Sequence, residues 1–322
     1  MVRKILIGML LLITAALVFV AAGLTWAHHA IRDERAPLPD RTVVTLAAAM
    51  FTDLPVRLSI INTASQPMPR SAVLDPSKDP KPNEPYIMSH PSFVIEWADG
   101  RILLVDVGMT RQGAIDFGRP IEWLGGAAPI QPLGSTAERL GEARRRVQGI
   151  VFTHLHTDHV GGINELCEGL DHPVRVFMTD AQAERPNYTT RPGLKLLRKA
   201  SCVREERLQA KRLMPVPGFD GVFVMAAGGH TPGSQMISTI IVAPEEAGAK
   251  GYVLTGDIVN NIDGVTYDIP KPWLYSLLIV PEDSERLGVL RRFLKDLHQG
   301  NNFDLLVSHD QIALEQSGVP AW

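Results

Sequence analysis

The stretch Thr153-His154-Leu155-His156-Thr157-Asp158-His159-Val160-Gly161-Gly162 follows directly on the apolar run Ile150-Val151-Phe152. Four side chains able to bind a metal, His154, His156, Asp158 and His159, therefore crowd together where a buried strand emerges into a loop. His154 and His156 are two apart, a spacing that in extended chain points both imidazoles to one side. Asp158 and His159 come after the chain has begun to turn, so they face a different point, and that geometry suits two metals. Imidazole nitrogen with carboxylate oxygen is the donor set of zinc and of its borderline neighbours iron, manganese and cobalt. Without a cation, the same groups would repel one another when charged and would cost several kcal/mol to bury neutral and unpaired. Gly161 and Gly162 are expected to let the backbone bend sharply beside the ions.

Outward from this stretch, other apolar runs end in the same kind of residue. Asp106 closes Leu103-Leu104-Val105-Asp106-Val107-Gly108, and His230 sits in Gly228-Gly229-His230-Thr231-Pro232-Gly233-Ser234. Asp257 closes Leu254-Thr255-Gly256-Asp257, and His309 lies in Leu306-Val307-Ser308-His309-Asp310. Each follows a β-rich segment and precedes Gly, Pro or a polar break, where strand ends deliver side chains to a common rim. Taken alone, Asp257 reads equally well as a turn residue, and Asp310 as a helix cap or a solvated group.

With its His-x-His-x-Asp-His signature and these four motifs in order, the chain resembles the metallo-β-lactamase-fold superfamily from roughly Val56 to the C-terminus. The resemblance implies an α/β fold, an αββα sandwich. It also implies that His154, His156 and His230 hold one ion, that Asp158, His159 and His309 hold a second, and that Asp257 is shared. Asp106 would brace the ligand loop from behind, and Asp158 and Asp257 would be catalytic. The implied cofactor is two divalent ions, in the first place Zn2+. The remaining histidines, at 28, 29, 90, 172 and 298, read as non-ligands, with His90 the one expected to line the pocket.

Two such ions ~3.5–4 Å apart lower the pKa of a shared water and polarise an electrophilic oxygen, which favours hydrolysis of an ester, lactone, thioester or phosphate. No Gly-x-Ser-x-Gly elbow or Ser-x-x-Lys motif offers a competing nucleophile. Within the superfamily, Asp257 argues against antibiotic hydrolysis and His156 against the flavin-associated di-iron members. The expected activity is therefore a dinuclear zinc hydrolase whose bridging hydroxide cleaves a small ester or lactone, resembling the lactonase and esterase branch. One departure stands out. Where acyl-homoserine lactonases typically carry a tyrosine after the bridging aspartate, this chain has Ile258-Val259-Asn260-Asn261, leaving Tyr267 or Tyr275 to swing in as an oxyanion partner or simply to pack. Trp273, Leu274 and Tyr275 could form an apolar lip suited to an acyl or aryl group. The alternatives are a mononuclear iron oxidoreductase like the persulfide dioxygenases, a glyoxalase-II-like thioesterase, and a non-catalytic metal-buffering scaffold.

The whole chain of 322 residues is 45% hydrophobic and 21% charged, with a formal charge of −3, so no global basic field draws it to nucleic acid. The one compact basic cluster, Arg144-Arg145-Arg146, reads as a solvated helix face. From Ile5 to Ala27 no side chain is charged. As a helix, that run spans ~34 Å, enough for the ~30 Å hydrocarbon layer. Arg3 and Lys4 precede it, and Arg32, Asp33, Glu34 and Arg35 follow, so the N-terminus stays cytoplasmic and the rest is exported. Residues 1–27 are thus expected to be an uncleaved anchor, with a signal segment cut near Ala21–Gly23 as the competitor and a secreted protein as its consequence. Residues 28–41 read as a tether, and 42–322 as one catalytic domain facing the periplasm or cell exterior. The expected partners are a small ester or lactone and the membrane, not nucleic acid; oligomeric state is not legible.

Expected strands are Val56–Ile61, Ser92–Trp97, Arg101–Val107, Ile150–Thr153, Val174–Met178, Val222–Met225, Met236–Val242, Tyr252–Thr255 and Leu305–Val307, with Ala98-Asp99-Gly100 as a tight turn. Helices are expected around Ser135–Arg146, Lys195–Leu208 and Ser284–Leu297. Seven prolines between Gln66 and Pro91 forbid regular structure there and suggest a surface excursion forming one wall of a cleft. Cys167 and Cys202 read as two buried small hydrophobes.

Overall fold

The computed structural model describes residues 2–32, 35–47, 51–123, 126–242, 248–301 and 303–322. Among the described residues, twelve strands form two sheets. The first contains β1 (Arg57–Pro67), β2 (Ile87–Glu96), β3 (Ile102–Val105), β4 (Gln131–Pro132), β5 (Val147–Val151), β6 (Val174–Met178) and β7 (Val203–Arg207), in the order β4-β1-β2-β3-β5-β6-β7. The second contains β8 (Met214–Pro215), β9 (Val222–Ala226), β10 (Gln235–Ile241), β11 (Lys250–Leu254) and β12 (Phe303–Leu306), in the order β12-β11-β10-β9-β8. The helices are α1 (Val2–Arg32), α2 (Arg41–Ala47), α3 (Arg111–Trp123), α4 (Thr136–Leu140), α5 (Thr157–Val160), α6 (Ile163–Cys167), α7 (Asp180–Glu184), α8 (Arg191–Lys199), α9 (Asp263–Thr266), α10 (Ser284–Asn301) and α11 (Gln311–Gln316).

Alternation along the strands makes the layers. Leu58, Phe93, Ile95, Leu103 and Val105 of the first sheet meet Val222, Val224, Ile237 and Leu254 of the second in one core. Their neighbours point outward. Val94, Leu104, Ile150 and Val176 are covered by Leu140, Ile163, Leu166, Leu194 and Leu197 from α4, α6 and α8. On the far side, Met225, Met236 and Val253 are covered by Leu287, Leu290, Leu294 and Leu297 of α10. The result is the expected αββα sandwich.

Strand direction then decides where the polar residues arrive. β3 and β5 are parallel, as are β11 and β12, and β9 runs antiparallel to β10, which is itself antiparallel to β11. Asp106, the 153–159 loop, His230, Asp257 and His309 all follow the carboxyl ends of these strands and so gather at one edge of the sandwich.

Several local expectations change. The 200–208 segment is not a helix: it breaks at Ala200 and becomes edge strand β7, whose Val-Arg-Glu-Glu-Arg sequence is polar because only one edge pairs, with β6. The proline-rich segment is not simply a surface excursion. Its start and end lie in β1 and β2, where Pro91 pairs opposite Asn62 beside a register shift, and Val73 and Leu74 are buried. Cys167 and Cys202 form a disulfide rather than remaining separate hydrophobes. Gly161 and Gly162 have ordinary helical φ of −57° and −76°, so they are not there to bend the chain. A Cβ on them would come within 2.6 Å of the carbonyl oxygens of Thr157 and Val107 respectively, so what they permit is close backbone packing. The segment read as a tether is helical through Arg32, and Ala27 and Ile31 are fully buried against the domain. Asp33 and Glu34 lie outside the described residues. The α1 helix is long and apolar enough to cross a membrane.

Candidate metal centre

All seven expected ligands converge. Within one group, His154, His156, His230 and Asp257 offer atoms mutually within 4.8 Å, and His159, Asp257 and His309 form a second group by the same measure. Asp158 joins the latter, with Oδ2 at 3.6 Å from His159 Nε2 and 3.5 Å from His309 Nε2. Asp257 touches both groups, with Oδ2 at 3.4 Å from His230 Nε2 and 3.0 Å from His309 Nε2. His156 lies at the N-terminal boundary of α5, in extended conformation, whereas Asp158 and His159 lie inside the helix; the turn separates the two directions.

Every imidazole is held by its outer nitrogen. His159 Nδ1 bonds Asp106 Oδ2 at 2.8 Å, and His309 Nδ1 bonds the Ser89 carbonyl at 2.7 Å. His230 Nδ1 bonds Glu282 Oε1 at 2.6 Å, His156 Nε2 bonds Thr189 Oγ1 at 2.8 Å, and His154 Nδ1 is 3.3 Å from Thr153 Oγ1. The other nitrogen of each faces inward, and such outer partners fix tautomer and aim in metal-binding histidines. Asp106 adopts a left-handed φ of 59°, which aspartate tolerates better than most residues, and also accepts bonds from Thr153 N at 2.8 Å and Thr153 Oγ1 at 2.7 Å. It thereby ties the 153–159 loop to the end of β3.

The inner atoms are poorly matched to one another. His156 Nδ1 has His154 Nε2 at 2.9 Å and His230 Nε2 at 3.2 Å. One imidazole nitrogen offers a single proton or a single lone pair, so it cannot satisfy both neighbours. Buried His159 Nε2 and Asp257 Oδ1 lie 3.2 Å apart, yet neither has a hydrogen-bond partner among the described residues. Orphaned donors aimed at a common point are what a cation satisfies, so the residues fit a metal pair.

Burial, and then neighbouring positive charge, keep His154 neutral far below its usual range, bring His156 down to about 3, and lower His230. Their inward lone pairs are therefore free near neutral pH. Burial also opposes charge on His159 and His309, but Asp106 and its fellow carboxylates outweigh it for the first and Asp257 for the second, raising both. Asp158 and Asp257 are held below the ordinary carboxylate range, burial being overcome by His159 and His309.

A cavity of about 370 Å3 opens beside the cluster, lined by His156, Asp158, Asp257 and His309 at its base and by Met68, Val73, Met88, Phe117, Ile121, Ile279 and Val280 on its walls. The proline-rich segment is thus one wall, as expected. Tyr275 and Asn260 line it too, whereas Tyr267 stands half exposed beside Lys81. Trp273 and Leu274 do not line it, although they share with Tyr275, Ile279 and Val280 the 272–280 loop, which winds through one helical turn at Tyr275–Ile279.

His90 corrects its expectation. It lies buried behind Asp158, with Nδ1 at 3.3 Å from Asp158 Oδ2 and its ring against Phe117, rather than on the pocket wall. His28, His172 and His298 are away from the cluster, bonded to backbone carbonyls. Arg145 and Arg146 are solvated and paired with Glu142 and Glu96, as a surface helix face should be. Residues missed from sequence are Glu282 and Lys271: Lys271 Nζ bonds Glu282 Oε1 and the Asp257 carbonyl, each at 2.7 Å. The only sequence signal for this buried pair is that Lys271 and Glu282 bound the uncharged 272–281 run.

The model of the metallo-beta-lactamase superfamily matches residues 86–308. The chain belongs to that superfamily. Among solved structures, a quorum-quenching N-acyl homoserine lactone lactonase is similar at 16% identity and TM-score 0.57, covering 81% of this chain and 95% of its own. An N-acyl homoserine lactone hydrolase with the product N-hexanoyl-L-homoserine bound at its catalytic metal centre is similar at 18% identity and TM-score 0.56, covering 82% and 96%. A probable metal-dependent hydrolase from Staphylococcus aureus is similar at 16% identity and TM-score 0.52, covering 81% and 91%. At these identities the likeness is one of fold. No curated protein matches the sequence.

Proposed function

We propose that this superfamily member is a dinuclear metal hydrolase, zinc being the simplest loading, that cleaves a small ester or lactone. The observation that carries it is the set of five imidazoles, each braced on its outer nitrogen and aimed inward at two groups that meet at Asp257. His154, His156 and His230 would hold one ion, and Asp158, His159 and His309 the other, with Asp257 common to both. When bound, such a pair supplies a water deprotonated near neutral pH and positive charge for the substrate carbonyl.

The protein's own groups do the rest. Asp158 and Asp257 remain ionised at the cavity base, where their charge would help hold the ions and their oxygens can accept a hydrogen bond that orients the attacking group. Tyr275, half-buried in the cavity wall and pushed well above the usual phenol range by desolvation there, keeps its proton and can donate to a substrate oxygen. The apolar walls exclude water and seat an acyl or aryl group. The lactonase neighbours of the same fold support a lactone as one candidate. We further propose that α1 is an uncleaved anchor and that the domain faces the exterior.

The test is a metal count on the purified full-length protein combined with hydrolysis of p-nitrophenyl butyrate and of simple lactones. About two zincs per chain are expected, with turnover abolished in Asp257→Ala and His159→Ala while the circular dichroism stays native. Retained turnover in either variant, or about one iron per chain with oxygen consumption, contradicts it.

A further inference from the structure

The last two turns of α1 and the loop at 272–280 lie side by side. His28 Nε2 is 3.3 Å from the Leu277 carbonyl and His28 Nδ1 is 3.3 Å from the Glu282 carbonyl. Arg35 pairs with Asp283 at 2.5 Å and with Glu285 at 2.8 Å, just beyond the loop. With Ala27 and Ile31 fully buried, the end of the helix packs against the domain. The uncharged run ends at Ala27, one residue before this junction, so the loop sits where the hydrocarbon layer would end.

The loop is built for that level. Residues 272–280 carry no charge, yet Trp273 is 71% exposed, Ile279 56% and Leu278 51%, with Leu274 and Leu277 also exposed. Contiguous exposed apolar side chains of this kind mark a contact surface. A groove of about 540 Å3 runs between helix and loop, lined by Ala21, Leu24, Thr25, His28 and Leu277 among others. Ala21 is seven residues before His28, so Leu277 flanks helix that descends ~10 Å into the apolar span. Water is a poor occupant for such a groove and an acyl chain a good one. Arg32, exposed on the final turn, stands where phosphate headgroups would lie. The partner this surface fits is the bilayer that α1 enters. The same loop also forms the cavity wall, through Tyr275, Ile279 and Val280.

We propose that the 272–280 loop is inserted in the bilayer surface beside α1, so that the cavity opens toward lipid and takes up substrates whose long acyl chains are already dissolved in the membrane. The substrate half rests on the hydrolase reading above; the insertion half rests only on the reading of α1 as an uncleaved anchor.

The test uses the full chain in phosphatidylcholine vesicles, with and without bromine on the lipid acyl chains. The fluorescence difference between the wild type and Trp273→Phe isolates Trp273. Bromolipid is expected to quench it and aqueous acrylamide to leave it largely untouched; the reverse pattern overturns insertion, whatever the enzyme does. A second arm compares the wild type with the double variant Trp273→Ser, Leu278→Ser on soluble p-nitrophenyl butyrate and on p-nitrophenyl palmitate carried in the vesicles. Short-chain hydrolysis should stay within about twofold while long-chain hydrolysis falls at least ~tenfold. Equal change on both esters, or none on the palmitate, refutes uptake from the bilayer. If the wild type cleaves neither ester, the hydrolase reading fails, and with it the substrate half, while the quenching result still decides insertion.

Discussion

Glu282 offers the sharpest test of how the site is held. Its Oε1 accepts from His230 Nδ1 at 2.6 Å and from Lys271 Nζ at 2.7 Å, and its Oε2 from Ser276 Oγ at 2.5 Å, all in buried surroundings. Burial would push the carboxyl up, but Lys271 and His230 outweigh it and bring it down to about 2, so it is ionised throughout the useful pH range. In Glu282→Gln the acceptor remains but the charge is lost. Bonds to a charged group contribute about 1.5–3 kcal/mol against 0.5–1.5 for neutral ones, so weakening two of them should cost about 2–3 kcal/mol of stability. The same change removes the carboxylate behind His230, which should weaken metal affinity by about 10–100-fold. Combining Glu282→Gln with Lys271→Met removes the stranded ammonium and should recover most of the stability without recovering the affinity. Thermal unfolding of the metal-free full chain in detergent reads the first quantity, and competition with a zinc chelator reads the second. Unchanged zinc affinity in Glu282→Gln would refute the idea that this carboxylate tunes His230. A double variant no more stable than the single one would show that the unpaired Lys271 is not the cause of the loss.

Other consequences can be checked separately. Arg70, buried between Asp79 and Asp263 at 2.9 Å each, lowers the Asp79 pKa. A depressed carboxylate gives stability that is complete above its ordinary pKa and is lost as pH falls through the lowered one, so acid should destabilise the wild type more than Arg70→Met in thermal melts below about pH 4. At neutral pH, Arg70→Met should itself cost about 3 kcal/mol by stranding Asp79. The Cys167–Cys202 disulfide spans a sequence separation of 35, and replacing both cysteines by Ala should cost about 3–4 kcal/mol in urea unfolding. A much smaller loss would mean that the reduced chain is already constrained there. Gly162→Ala should displace the 153–162 loop, because the new methyl would come within 2.6 Å of the Val107 carbonyl; bound zinc, measured by elemental analysis, should fall, and full metal content with native activity would count against a loop held by that contact.

The candidate metal centre was legible in the sequence because each of its residues interrupts an apolar run at a strand end, and the clustered four around His154 leave little freedom for another arrangement. The layer order was legible for the same reason, since strands such as β3 and β9 are apolar throughout and cannot face water on either side. What was not legible depended on contacts distant in the chain. β7 reads as a helix because an edge strand can keep charges on nearly every residue. His90 and Glu282 lie 64 and 128 residues from His154, and nothing near either of them resembles a ligand motif. Gly161 and Gly162 were rightly singled out but for the wrong cause, because a backbone from β3's end packs against them and sequence shows no such neighbour. The junction of α1 with the domain was likewise invisible: His28 looks like a residue of a polar tether until the Leu277 and Glu282 carbonyls are found beside it.

Anomalous scattering from crystals of the zinc-loaded protein, recorded at the zinc absorption edge, tests the central claim most directly. Two peaks ~3.5–4 Å apart should appear, one among His154, His156 and His230 and the other among Asp158, His159 and His309, with Asp257 reaching both. A single peak, or none after soaking, would contradict a dinuclear centre.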